Sequence, residues 1–227
     1  MFKDYVVFLN RIKKKYKFKY FNEKISKYNN IILRHDVDYH IDYALQIANL
    51  EKKLKIKSTY FFLLRSDFYN LLSHESVKKI NLIKKLGHQV SIHFDSKIYK
   101  KDVKKNFINE KKLFQDIFKT KVKAISFHRP QPKYLYSKKT FFGTAHSYQK
   151  KYMKNIKYFA DSQNTFLHGN PLDSEEFRNN KSMQILIHPI WWFGNLKKNK
   201  KKFQFLLKDK RKLLIQNLKQ DSKIFAI

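Results

Sequence analysis

The chain has no cysteine and only four glycines and four prolines among its 227 residues. The lack of cysteine excludes a disulfide scaffold, a zinc ribbon and a thiol nucleophile, so His, Asp or Glu must hold any metal. No apolar run approaches the roughly 18–20 residues that a membrane span needs. The apolar stretch 5–9 is too short for a secretory signal and is followed by basic residues. We therefore expect a cytoplasmic protein without a membrane span.

Acidic residues are scarce: 18 Asp and Glu stand against 50 Lys and Arg, which gives a net charge of +32. Arginine supplies six of the 50, and the lysines are scattered over every segment. Proteins that read duplex sequence usually rely on arginine for bidentate contacts, so we expect no specific nucleic-acid partner. Loose attraction to polyanions is expected, and a peripheral contact with an anionic membrane surface stays open.

Apolar strands alternate along the chain with amphipathic helices. Strands are predicted at 31–33, 59–64, 88–92, 122–127, 157–160 and 184–187, and helices at 2–14, 40–55, 75–86, 101–119 and 203–219. In the last helix the inward side chains are predicted to be Phe203, Leu206, Leu207, Leu214 and Leu218. Gly87 ends the third helix as a C-cap glycine would.

This alternation predicts parallel pairing, because a parallel connection needs a crossover. Six or seven such units indicate an α/β fold with a distorted or incomplete (β/α) barrel, and an open doubly wound sheet is the alternative. No G-x-G-x-x-G or Walker motif supports a nucleotide-binding sheet. We expect one domain over 1–227, with 1–30 as a helical and basic N-terminal extension packed on it.

Polar, chemistry-bearing residues follow five of the predicted strands. They are His35-Asp36-Val37-Asp38, His93-Phe94-Asp95, His128-Arg129-Pro130, Asp161-Ser162, and His188-Pro189 with Trp191-Trp192. The carboxyl ends of parallel strands meet at one rim, which is where active sites of α/β folds lie. The sequence therefore predicts one shared site.

The order of these motifs resembles that of the polysaccharide deacetylase (NodB-homology) superfamily, whose best-known branch is carbohydrate esterase family 4. The likeness rests on D-x-D after the first strand, Gly-His-Gln-Val-Ser-Ile-His, Phe-His-Arg-Pro and Ile-Leu-Ile-His-Pro, and runs from about Ile31 to Trp192. It is closer to a divergent branch that has His-Asp-Val-Asp in place of Thr-Phe-Asp-Asp. That branch is associated with bacterial surface-polysaccharide biosynthesis.

The resemblance implies a distorted barrel and one divalent metal, usually zinc, held by one Asp and two His. It makes Asp38 the metal ligand, Asp36 the general base and His188 the general acid, with His35 the next candidate for the acid. Amide hydrolysis needs the same parts: a Lewis acid for the carbonyl, a base for the water and a proton for the leaving amine. The alternative for either aspartate is a cap on helix 40–55.

The third metal ligand departs from the family pattern. His93 matches the first His of the family's H-x-x-x-H pair, but Lys97 occupies the second position. His128 is the best substitute and Asp95 the next. Arg129 and Asp161 resemble the pair that orients the base, and a plain buried ion pair is the alternative. Trp191 and Trp192 can stack on a sugar face or pack in the core.

We therefore expect a metal-dependent hydrolase that removes an N-acyl group from an amino sugar. The acyl group that we expect is acetyl. The substrate would be a surface-polysaccharide precursor for a capsule or lipopolysaccharide. The alternative is a non-catalytic relative that binds a glycan precursor or scaffolds its biosynthesis. Lys97 is the main support for that alternative.

Overall fold

Eight parallel strands lie within residues 2–166, 168–196 and 198–222, the parts of the chain that the computed structural model describes. The strands are β1 Lys17–Phe18, β2 Asn30–Val37, β3 Thr59–Leu63, β4 Gln89–Phe94, β5 Ala124–Phe127, β6 Ala145–His146, β7 Lys157–Ala160 and β8 Met183–Ile187. Their apolar side chains are buried on both faces, as in sheets covered by crossover helices. The six predicted strands are all present, and the two-residue strands β1 and β6 were not predicted.

The strand order is β6-β5-β4-β3-β2-β8-β7, and β1 pairs with the start of β2. If the sheet is followed around from β2, its strands come in chain order, from β2 to β6 and then from β7 to β8, which pairs with β2 again. The ring is open between the edge strands β6 and β7. This is the order of a (β/α) barrel that is open at one side, and it differs from a doubly wound sheet. The predicted incomplete barrel is confirmed.

The helices are α1 Lys3–Lys13, α2 Ile41–Lys53, α3 His74–Lys85, α4 Val103–Phe118, α5 Lys150–Met153, α6 Glu175–Arg178, α7 Pro189–Trp192 and α8 Asn199–Asp221. The long helices cover the sheet through apolar stripes, such as Phe107, Phe114 and Phe118 of α4. Gly87, at φ +96°, follows α3 in a left-handed conformation that favours glycine. None of the described helices combines the length and hydropathy of a membrane span.

Strand β2 is longer than the apolar run 31–33 that predicted it. It continues through the buried residues Arg34, His35 and Asp36, which pair with β3 on one side. Arg34 and His35 also pair with β8 on the other side. Polar side chains normally end a buried strand, but here each one has a polar partner inside the fold. Because strand side chains alternate, Arg34 and Asp36 point to the opposite face from His35.

The last helix, α8, packs less than the sequence predicts. Leu206 is buried and Phe203 is partly buried, but Leu207 is 68% exposed, and Leu214 and Leu218 are exposed too. The helix contacts the domain through the face that carries Lys202 and Leu206. Leu207, one residue further on, is rotated by about 100° from Leu206. The prediction that Leu207, Leu214 and Leu218 face inward is therefore wrong.

Candidate active site

Asp38, His93 and His128 meet at the carboxyl edge of the sheet. Asp38 follows β2, His93 lies in β4, and His128 follows β5, where its N–H donates to the Phe94 carbonyl at 2.9 Å. Asp38 Oδ1 lies 3.2 Å from His93 Nε2 and 3.6 Å from His128 Nδ1, and the two imidazole nitrogens are 3.2 Å apart. One ligand atom from each residue therefore lies within 4.8 Å of the others.

These three side chains fit a divalent metal. Asp38 Oδ1 is buried and has no hydrogen-bond partner among the described residues. Burial alone would raise the pKa of Asp38, but the imidazoles of His128, His93 and His188 outweigh it and hold that pKa well below its usual range. A carboxylate that stays charged beside two imidazoles is a donor set typical of catalytic zinc, which keeps three protein ligands and an open position.

Asp36 lies beside this cluster, on the same face of β2. Its Oδ2 accepts from Arg34 Nη2 at 3.2 Å and from Ser126 Oγ at 2.9 Å, and lies 3.9 Å from His93 Nε2. Its Oδ1 is buried without a partner among the described residues. The carboxylate is thus fixed through one oxygen, and the other has no partner among the described residues.

Arg34, rather than Arg129, holds Asp36. Its fully buried guanidinium also donates to Tyr148 Oη at 2.8 Å and to Gln184 Oε1 at 3.3 Å. Burial would lower the pKa of Arg34, but the Asp36 carboxylate outweighs it, so Arg34 stays charged. Arg129 is 64% exposed and pairs with Asp95 at 2.7 Å. The expected orientation of Asp36 by Arg129 and Asp161 is not what the structure shows, nor is an ion pair between those two.

Asp161 holds His188 instead. His188 follows β8, and its Nδ1 lies 2.6 Å from Asp161 Oδ1, while its backbone N–H donates to both carboxylate oxygens at 3.0 Å. Trp192 Nε1 donates to Asp161 Oδ2 at 2.7 Å. Burial lowers the pKa of His188, but the Asp161 carboxylate outweighs it and raises that pKa to about 9. His188 Nε2 points to the cluster, 3.9 Å from Asp38 Oδ2.

All five predicted metal, base and acid residues line one cavity of about 480 Å³. Its walls add aromatic side chains, among them Tyr39, Tyr148, Tyr158 and Trp191. A volume of this size is within the range of small-molecule sites. Trp191 therefore reaches the site, whereas Trp192 packs inward against Tyr5 and Phe8.

Three other residues that the sequence analysis considered lie outside the cluster. His35 points to the opposite face of the sheet, where its Nε2 lies 2.7 Å from the buried Glu51. Lys97 has an exposed side chain in a 3-10 turn and donates its backbone N–H to Asp95 Oδ1 at 2.9 Å. The carboxylate of Asp95 thus accepts from the Lys97 backbone through Oδ1 and from Arg129 through Oδ2. His35 is thus removed as an alternative acid, and Asp95 makes no contact with the ligand group.

Arg34, Ser126 and Tyr148 are not among the site residues that the sequence predicts. The Arg34-x-Asp36-x-Asp38 spacing is itself a signal, because alternate residues of a strand share a face. Ser126 is in the predicted fourth strand, two residues before His128, and the same alternation places both on one face. Tyr148 lies in an irregular segment before α5, and no local pattern marks it.

The fold and the cluster together define an open parallel α/β barrel with an Asp-His-His group at its carboxyl edge. No protein-family model matches the chain, and no curated protein matches it. Solved structures do match. The chain is similar in fold to a family 4 carbohydrate esterase from Bacillus anthracis, with 13% identity and a TM-score of 0.47 over 97% of this chain and 88% of that chain.

Two further matches cover less of the matched protein. A carbohydrate esterase family 4 pseudoenzyme from Bacillus anthracis is 12% identical, with a TM-score of 0.47 over 87% of this chain and 65% of that chain. A deacetylase from Streptococcus pyogenes is 20% identical, with a TM-score of 0.41 over 52% of this chain and 58% of that chain. The alignment thus spans less than two thirds of both proteins.

Proposed function

We propose that the protein is a metal-dependent hydrolase that removes an acetyl or related N-acyl group from an amino sugar in a surface-polysaccharide precursor. The observation that carries this proposal is that Asp36 and His188 each lie within 3.9 Å of the Asp38, His93 and His128 group, in the same cavity. A ligand set, a carboxylate with a free oxygen and a protonated imidazole are the three parts that amide hydrolysis requires.

Asp38, His93 and His128 would hold the ion, which we propose is zinc. When bound, the ion supplies Lewis-acid polarisation of the amide carbonyl. Around it, the chain's own residues position the substrate and move the protons. The buried wall behind Asp36 and His93 keeps bulk water away from one side of the site, which strengthens electrostatic interactions there.

Asp36 acts as the general base. Its Oδ2 is held by Arg34 and Ser126, so the carboxylate cannot rotate away. The remaining oxygen, Oδ1, takes a proton from the attacking water. Because Asp36 lies next to the ligand group, the water that it deprotonates would be close to the carbonyl carbon of the bound amide.

His188 acts as the general acid. Asp161 fixes the ring through Nδ1 and raises the pKa of His188, after the opposing effect of burial, to about 9. The imidazole is therefore protonated at neutral pH and presents Nε2–H to the site. This proton passes to the leaving amine nitrogen, and Asp161 stabilises the charged ring until it does.

The cavity supports a sugar substrate. Aromatic side chains line it beside the proposed catalytic groups, and the rings of Trp191 and Tyr39 lie 6.5 Å apart in its wall. Apolar ring faces suit the C–H faces of a pyranose, and the hydroxyl groups of tyrosines provide hydrogen bonds to sugar oxygens.

Acetate release tests the proposal. Purified protein is incubated with N-acetylglucosamine oligomers and with nucleotide-linked N-acetyl amino sugars, with and without zinc. We expect zinc-dependent acetate release that is lost in Asp38→Ala and kept in His74→Ala, whose exposed imidazole lies outside the site. Substrate binding without acetate release from any sugar tested would instead favour a non-catalytic glycan-binding role.

A further inference from the structure

Helix α8 carries an exposed apolar face. Leu207 is 68% exposed, Leu214 59% and Leu218 38%. Their spacing of seven and four residues places the three side chains within about 40° of one another on a helix with 3.6 residues per turn, over about 16 Å of its length. Single exposed leucines are ordinary, but an aligned set forms a continuous face, here called the leucine face.

The first half of α8 is anchored to the domain. Leu206 is buried, the Phe203 ring lies 5.6 Å from the rings of Tyr39 and Trp191, and Tyr43 donates to Asp209 at 2.7 Å. Beyond this, ten of the eleven residues from 211 to 221 are exposed. A helical segment without packing is marginal in water, so a surface that covers the leucine face would stabilise it.

Basic residues flank the leucine face. Helix α8 contains eight Lys and Arg but only two Asp. Arg211 is rotated by about 40° from Leu207 and Lys208 by about 100°, to the same side. Lys212 and Lys219 extend this exposed basic side along the helix. A helix that combines leucines with an adjacent basic side is the pattern of interfacial helices on anionic membranes.

We propose that the leucine face of α8 docks on an anionic lipid bilayer, with the leucines in the acyl boundary and the flanking cations at the headgroups. Charge complementarity selects this occupant. A second copy of the chain brings the same net charge of +32 and opposes it. A nucleic acid would pair with the cations and leave the leucines in water. This docking does not depend on whether the protein is an enzyme.

The docked helix lies beside the candidate active site. Tyr39 and Trp191 line the cavity and contact Phe203 of α8. The bilayer would therefore lie near the cavity, where the headgroup of a lipid-linked sugar precursor is accessible. This consequence rests on the proposed function, whereas the docking does not.

Vesicle co-sedimentation of the full chain without substrate tests the docking. The probe is vesicles of phosphatidylglycerol and phosphatidylcholine at physiological salt, with pure phosphatidylcholine as reference. The test variant replaces the leucine face without changing charge: Leu207→Gln, Leu214→Gln and Leu218→Gln together. The matched control replaces three exposed apolar residues on other helices: Val7→Gln, Leu82→Gln and Leu113→Gln.

We expect the wild type and the control to bind the anionic vesicles, and the leucine-face variant to bind them at least about tenfold more weakly. Binding to polyglutamate, which has charge but no apolar interior, should be equal in all three proteins. Equal vesicle binding by the leucine-face variant would overturn the proposal, because net charge alone would then explain binding. A leucine-dependent dimer in ultracentrifugation with no vesicle binding would overturn it in favour of a second copy.

Discussion

At Asp36 the two carboxylate oxygens have different surroundings. Arg34 and Ser126 hold Oδ2, while Oδ1 has no partner among the described residues. A general base contributes about 10²–10⁴-fold to rate, so Asp36→Asn should lower acetate release by that order and leave metal content unchanged. Turnover and elemental analysis of the same preparation check this. An emptied metal site in Asp36→Asn would show that Asp36 is a ligand and would contradict the assignment.

Arg34 and Arg129 carry the same charge in opposite environments. Arg34 is fully buried against Asp36, whereas Arg129 is 64% exposed against Asp95. Removing one partner of a buried ion pair costs about 3–5 kcal/mol, while an exposed pair contributes about 0–1 kcal/mol. We therefore expect Arg34→Met to lower the free energy of unfolding in urea far more than Arg129→Met. Equal losses would show that Arg34 does not hold Asp36.

His188 owes its protonation to Asp161. Burial lowers the pKa of His188, but the Asp161 carboxylate raises it to about 9. A histidine whose folded pKa exceeds its unfolded value of about 6.5 stabilises the fold below that pH and loses the contribution as pH rises through 9. In metal-free Asp161→Asn, NMR titration should give a lower pKa for His188. The fall in unfolding free energy between about pH 6.5 and pH 9 that this histidine causes in the wild type should be absent from the variant. An unchanged pKa would contradict the pairing.

At the scale of elements, the face of the sheet opposite the site is held by a carboxylate on α2. Glu51 is fully buried and accepts from Ser58 Oγ at 2.6 Å and Tyr60 Oη at 2.7 Å, with His35 Nε2 at 2.7 Å. Burial raises the pKa of Glu51, but His35 outweighs this effect and the pKa falls to about 2. This group therefore ties α2 to β2 and β3.

Glu51→Ala should lower the free energy of unfolding by about 3–5 kcal/mol, because it leaves His35 and the hydroxyl groups buried without their acceptor. The folded pKa of Glu51 is below its unfolded value, so the stabilisation is present above pH 4.5 and is lost as pH falls through about 2. Urea unfolding at several pH values measures the difference in unfolding free energy between the wild type and Glu51→Ala. This difference should become smaller in acid. A loss below about 1 kcal/mol would show that the cluster does not stabilise the fold.

The elements differ in how well the sequence predicts them. Buried apolar strands such as β3 and β8 were predicted within a residue or two, because burial on both faces produces continuous apolar runs. The outer half of β2 was not, because Arg34 and Asp36 are buried only through partners that come from distant strands. The outward rotation of Leu207 and Leu214 on α8 was also missed, since apolar side chains alone do not show what a helix packs against.

For the whole molecule, the order of polar motifs along the chain predicted their convergence, because parallel strands place their carboxyl ends at one edge. The sequence left His128 and Asp95 as alternatives to the absent second histidine. The family resemblance implied that Arg129 and Asp161 orient Asp36, whereas they pair with Asp95 and His188. The third ligand and these partners depend on the directions in which side chains point at the strand ends, and the sequence pattern does not show those directions. The site contains the acidic residues Asp36, Asp38 and Asp161, although the whole chain has a net charge of +32. That net charge attracts anions at long range.

We propose that Asp38, His93 and His128 form one metal centre. Elemental analysis of protein purified without chelator measures it most directly, in the wild type, His93→Ala, His128→Ala and the control His74→Ala. We predict close to one divalent ion per chain in the wild type and the control, and loss of the ion in the other two variants. No metal in any preparation, or full retention of the ion in His128→Ala, would show that these three residues do not form a metal centre.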